Sequence, residues 1–121
     1  MESNDVIDLS VIEELRQLDA GTPAGLLRGL IDLFTLHTPP SLREMTESLE
    51  LGNFKRVREV AHTLKSSSGN LGARQFSIIC AEIEKTVLER DPKLSEKRHE
   101  LVPNLQELYM PTATALEKCR S

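Results

Sequence analysis

The 121-residue sequence has no tryptophan, one tyrosine and three phenylalanines, so aromatics supply only 3% of it. Strands favour aromatic and β-branched residues in alternation. Few such alternations occur, which excludes a β-sheet architecture. Cysteine is scarce too: Cys80 and Cys119 are too few for a disulfide framework and read as free thiols, Cys80 as a small core residue. No apolar run approaches the roughly 18 residues that a membrane span needs. Met1–Asp5 is acidic with no apolar segment after it, so no signal peptide is expected and the cytoplasm is the expected compartment. Positive charge is in deficit, with 15 Lys and Arg against 19 Asp and Glu. The resulting pI near 5.4 argues against a nucleic-acid partner. There is no glycine-rich phosphate loop, no nucleotide lid and no acidic cluster for magnesium, so ATP-dependent kinase activity and a bound cofactor are not expected. The three histidines, His37, His62 and His99, lack the Glu-x-x-His spacing of a metal-binding bundle, and no metal is expected.

What is present is helical spacing. The length suits one domain spanning 1–121. Met1 to Asp8 is expected as a frayed lead-in. Ser10 and Glu13 fit a capping box, opening a short helix to about Leu18 with Val11, Ile12, Leu15 and Leu18 inward and Gly21 as its C-terminal cap. Thr22 and Pro23 are expected to start the next helix, with Leu26, Leu27, Leu30, Ile31, Leu33 and Phe34 as a broad apolar face. Pro39 and Pro40 predict a kink, because proline lacks an N–H and crowds the preceding turn. Leu42, Met45 and Leu49 resume the stripe to about Leu51. Gly52–Asn53 is a turn, with Asn53 capping a helix from about Phe54 to Asn70 that Gly72 closes. A helix from about Arg74 to Glu89 buries Phe76, Ile79, Cys80, Ile83 and Val87. Asp91–Pro92 breaks the chain. The last helix is expected from near Ser95, with Leu101, Leu105, Leu108, Thr112, Ala115 and Leu116 on one side and bends at Pro103 and Pro111. Amphipathic helices on short connectors imply an all-α fold, an antiparallel four-helix bundle with a short extra N-terminal helix.

The helix over 54–70 carries the chemistry. At about 100° per residue from Val57, residues Val60, Ala61, Leu64, Ser68 and Leu71 fall within roughly 60° of one line, the buried stripe. His62 lands at about 140° and Gly69 at about 120°, on the opposite side. Lys55, Arg58 and Lys65 lie at about 160°, 100° and 80°, so the histidine stands among cations. Together with Arg56 they make a basic patch on an acidic protein; charge alone reads equally as a solvated face. His62 by itself is an ordinary exposed histidine. Its neighbours are less ordinary, since Ser66, Ser67, Ser68 and Gly69 are weak helix formers. Such a run keeps the surface low and lets another molecule and a phosphoryl group come close. His37 and His99 read as plain polar residues.

Ala61-His62-Thr63-Leu64-Lys65, followed by Ser66-Ser67-Ser68-Gly69-Asn70-Leu71-Gly72, resembles the phosphorylation motif of histidine-containing phosphotransfer (HPt) domains, Ala-His-x-Leu-Lys-Gly-small-small-x-x-apolar-Gly. Ser66 departs from it, standing where the family usually has glycine. The resemblance is strong from about Gly52 to Glu84, fair from Ile7 to Leu49, and a matter of pattern beyond Thr86. It implies the same four-helix bundle, with His62 as phosphoacceptor and Lys65, one turn on, as contact for the phosphoryl oxygens. It further implies that a Gln or Glu from the next helix reaches toward the histidine. Glu84 is the candidate, and from its place alone it reads equally as a solvated rim carboxylate. Lys55, Arg58, Ser66 and Gly69 are the expected partner-binding residues. The implied function is to carry a phosphoryl group between aspartates of receiver domains, of a hybrid sensor kinase and/or a response regulator, with magnesium on the receiver and the chain a monomer. The alternative is a helical adaptor that binds a receiver domain without phosphate; His62 and Lys65 side by side speak against it.

Overall fold

The computed structural model of the chain describes residues 6–19 and 25–120. Its helices are α1 (Leu9–Asp19), α2 (Leu26–Glu50), α3 (Phe54–Asn70), α4 (Arg74–Thr86), the single turn α5 (Pro92–Ser95) and α6 (Arg98–Cys119). No strand occurs among the described residues. α3 packs between α2 and α4, α6 closes the bundle against α4 and α2, and α1 lies on α2. Connectors as short as 51–53 and 71–73 leave successive helices no course but antiparallel ones. The all-α bundle with a short extra N-terminal helix is therefore as the sequence predicts.

α3 opens as expected, with the Asn53 side chain accepting from the Arg56 N–H at 3.3 Å, and it closes at Gly72 with φ +71°. The entry to α1 differs. The Asp8 carboxylate accepts from the N–H and hydroxyl of Ser10 at 3.0 and 2.6 Å, so Asp8 is the cap and Ser10 lies inside the helix. A carboxylate facing a helix N-terminus satisfies the free N–H groups and complements the dipole. Nor is the lead-in frayed up to Asp8: Val6 and Ile7 are buried, and the Asp8 N–H donates to the Gly72 carbonyl at 2.7 Å. Residues 1–5, and the expected signals at Gly21, Thr22 and Pro23, lie outside the described residues. α2 itself starts at Leu26, where the Asp19 carboxylate accepts from the N–H groups of Leu26 and Leu27.

α2 runs through Pro39 and Pro40 without a break. The carbonyl that Pro39 would have served, that of Thr35, accepts from the Tyr109 hydroxyl of α6 at 3.4 Å. A neighbouring helix thus supplies a donor that proline removes. The expected inward face of α2 was too wide, because Leu26 and Leu33 are exposed, and in α1 so is Leu18. Six apolar positions spread over nine residues cover more arc than the packed neighbours hide. α4 stops at Thr86, three residues short of the expected Glu89. Beyond it the Arg98 guanidinium donates to the Val87 carbonyl at 3.2 Å and stacks 3.8 Å over the Phe54 ring. The chain breaks at Asp91–Pro92, where Asp91 caps the short α5, and α6 begins at Arg98 and not near Ser95. Three of the four aromatic rings meet in the core: Phe34 lies edge-on to Phe76 at 5.5 Å and 6.1 Å from Tyr109, joining α2, α4 and α6. Both cysteines are free and buried.

Candidate functional site

α3 presents its Val57, Val60, Ala61, Leu64 and Ser68 edge to the core, as the stripe requires. This turns His62 outward, with a side chain 62% exposed. α4 packs alongside and delivers Glu84 to it. The His62 Nδ1–H donates to Glu84 Oε2 at 2.6 Å, and the Lys65 ammonium donates to Glu84 Oε1 at 2.6 Å. Of the two readings open for Glu84, the geometry selects the partner of the histidine. Its side chain is only 17% exposed and both its oxygens are engaged. The Lys65 ammonium foremost, then the His62 ring, hold its carboxyl below the usual 4.5, against the opposing effect of partial burial. The carboxylate is therefore ionised at neutral pH and can only accept. In the neutral ring Nδ1 therefore carries the proton and Nε2 the lone pair. The depressed carboxyl stabilises the fold above pH 4.5, and that contribution is lost as pH falls through the lower folded value.

Arg58, Glu59 and Thr63 line the same shallow recess of about 340 Å³ with His62 and Glu84. Arg58 and Lys55 make no ion pair among the described residues, but Lys55 is not part of the recess lining. Arg56 drops out of the expected basic patch, because its guanidinium is held by Glu44 at 2.6 Å and by Glu59 at 3.3 Å. Ser66 is exposed one turn beyond His62. Gly69 is also exposed, yet a Cβ there would lie 3.4 Å from Ser77 Oγ on α4. The Ser77 hydroxyl in turn donates to the Lys65 carbonyl at 3.2 Å. Glu59, Thr63 and Ser77 escape the sequence reading: Glu59, one turn before His62, and Thr63, next to it, could have been found by helical spacing, whereas the contact of Ser77 with the Lys65 carbonyl leaves no periodic trace. On the other flank of α3, an apolar groove of about 270 Å³ runs between α2 and α3, lined by Leu30, Leu33, His37, Thr63 and Ser67 among others. Thr63 belongs to both hollows. Among the described residues no group of three or more His, Cys, Asp or Glu side chains is set to hold a metal ion, and no helix is long and apolar enough to cross a membrane.

The site is thus an outward histidine, hydrogen-bonded to a carboxylate of the neighbouring helix, on the second helix of a four-helix bundle. Residues 29–117 match the Hpt domain family, and the chain belongs to that family. Its members are non-catalytic carrier domains that work with receiver domains in phosphorelays. No curated protein and no solved structure showed a significant match.

Proposed function

We propose that the protein carries a phosphoryl group on His62 between the aspartates of two receiver domains. The observation that carries this reading is the His62–Glu84 hydrogen bond of 2.6 Å. It holds the ring in the tautomer that a nucleophilic Nε2 requires, on a side chain left open to an incoming protein. Lys65 brings a cation one turn along the same face to offset the phosphoryl charge. Arg58 adds a second beside the ring, and Lys55 and Ser66 extend the face that a receiver domain covers. The receiver brings the magnesium, and the reading places the protein in the cytoplasm as a monomer. The exposed Leu33 and Leu36 beside the groove offer apolar area to a docking partner. The test is incubation of the chain with phosphorylated receiver domains. The expected result is acid-labile, base-stable label moving to the chain and onward to a second receiver. An adaptor that binds receivers without phosphate would form the complexes and take no label.

Gly69 tests the docking side of this reading. A side chain there rises on the face of the imidazole about 10 Å further along, since seven residues return close to the starting angle of a helix with about 3.6 residues per turn. The contact of 3.4 Å to Ser77 Oγ is one an added Cβ tolerates. Glycine in a helix costs about 1 kcal/mol against alanine. Gly69→Gln is therefore expected to keep its helical circular dichroism and melting temperature and to lose most phosphotransfer. Normal transfer in a folded variant would show that no partner passes over this spot.

A further inference from the structure

Glu84 spends both oxygens at once, one on His62 Nδ1 and one on Lys65 Nζ, each at 2.6 Å. Phosphotransfer through Nε2 does not by itself call for the second contact. Its consequence appears once the ring is phosphorylated. As the phosphoryl group arrives, the P–O bond to the receiver aspartate breaks and its electron pair returns to the carboxylate oxygen. The Nε2 lone pair forms the N–P bond, and the ring, still carrying its Nδ1 proton, becomes an imidazolium. On the way out a carboxylate oxygen of the next receiver forms the new O–P bond. The N–P pair then returns to Nε2, and the ring leaves neutral with the proton still on Nδ1. If that proton is lost in between, the ring can depart only as an imidazolate, a far poorer leaving group.

We propose that Glu84, anchored through its other oxygen by Lys65, holds the proton on Nδ1 of phosphorylated His62, keeping the phosphohistidine in its labile, transfer-ready form at pH values where free phosphohistidine has already lost it. The proposal rests on the phosphotransfer reading of His62. A carboxylate at hydrogen-bond distance favours the cationic ring. Lys65 holds the other oxygen of that carboxylate at 2.6 Å and so fixes it on the ring; as a cation it opposes the ring proton, as Arg58 does, and its part is positional. Both are positioning residues that act through the ring. The other charges around the ring are few. On α3, Arg58 opposes the proton, while Glu59 shares the recess but is paired with Arg56 at 3.3 Å. From α2, Glu44 is held by Arg56, and His37 lines the groove beyond Thr63. From α4, Glu84 is the ionised group that reaches the ring. Cys80, on the buried side of α4, has its thiol pushed up to about 12 by burial and adds no charge.

The experiment phosphorylates the full chain with phosphoramidate, a small phosphodonor that needs no partner. It then follows phosphoryl loss by phosphorus NMR and the His62 ring by nitrogen NMR across pH. In the wild-type chain Nδ1 is expected to stay protonated on the alkaline side of the point where free phosphohistidine gives its proton up. Glu84→Gln keeps an acceptor for Nδ1–H but no charge. Its phosphohistidine is expected to lose the proton at lower pH and to survive about tenfold longer there, a neighbouring carboxylate being worth about one unit or more. Glu84→Asp is expected to restore part of the wild-type profile. A Glu84→Gln profile that overlays the wild type overturns the proposal. So does a wild-type nitrogen spectrum in which phosphorylated His62 gives up its proton with free phosphohistidine, a measurement that stands even if the variant misfolds. A chain that takes no phosphoryl group on His62 at all overturns the phosphotransfer reading itself, an outcome distinct from label that forms and decays like free phosphohistidine.

Discussion

His62→Gln is expected to abolish acid-labile, base-stable labelling of the chain by phosphorylated receiver domains. Glutamine fills a similar volume and can still offer an N–H to Glu84, but it has no nucleophilic ring nitrogen. The other histidines do not replace it. His37 and His99 are exposed, yet neither ring has a carboxylate partner among the described residues to set its tautomer. Because the His62 side chain is 62% exposed, its replacement should change stability by no more than about 0.5 kcal/mol, as at other surface sites. Equal melting temperatures beside absent label would assign the loss to chemistry and not to folding. Label retained on the variant, mapped by mass to His37 or His99, would move the acceptor elsewhere.

Gly72→Ala is expected to give the largest loss of stability of any single-methyl addition to the glycines described. Gly72 turns the chain from α3 into α4 with φ +71°, a conformation that costs an L-residue about 1–2 kcal/mol. A Cβ there would stand 2.8 Å from the Asp8 carbonyl oxygen and 2.9 Å from Val11 Cβ. Neither neighbour can step aside cheaply. The Asp8 N–H is bonded to the Gly72 carbonyl at 2.7 Å, and that bond holds buried Val6 and Ile7 against the bundle. Backbone strain and displacement of the lead-in together should cost about 2–4 kcal/mol. Denaturant unfolding should show the midpoint falling by the corresponding amount. Gly52, with φ +74° but open space around its missing Cβ, serves as the control, and its alanine variant should lose only the conformational part. If both variants melt together, the packing against Asp8 and Val11 contributes nothing.

The motif around His62 was legible in the chain because it is local. Residues three, four and seven apart on one helix share a face whatever the rest of the protein does. Periodicity likewise determined α3 and α4, their buried stripes, the outward turn of His62 and the Asn53 cap. It also determined the all-α bundle, since each apolar stripe must find another to cover it. Periodicity is silent on what meets a helix from outside. Pro39 and Pro40 predicted a kink on local grounds, while the Tyr109 hydroxyl supplies a missing donor from a residue far along the chain. Arg56 looked like part of a basic face until α2 brought Glu44 against it. The lead-in looked frayed because Val6 and Ile7 show no helical pattern, and only the approach of Gly72 gives them a place in the core. Glu84 is the sharpest case. Its angle on α4 left it either on the rim or on the histidine, and the choice depended on the depth and register at which α4 packs against α3. That register rests on contacts such as Ser77 with the Lys65 carbonyl beside a glycine at position 69. It arises from side-chain volumes and hydrogen bonds between two helices, and no spacing within either one encodes it.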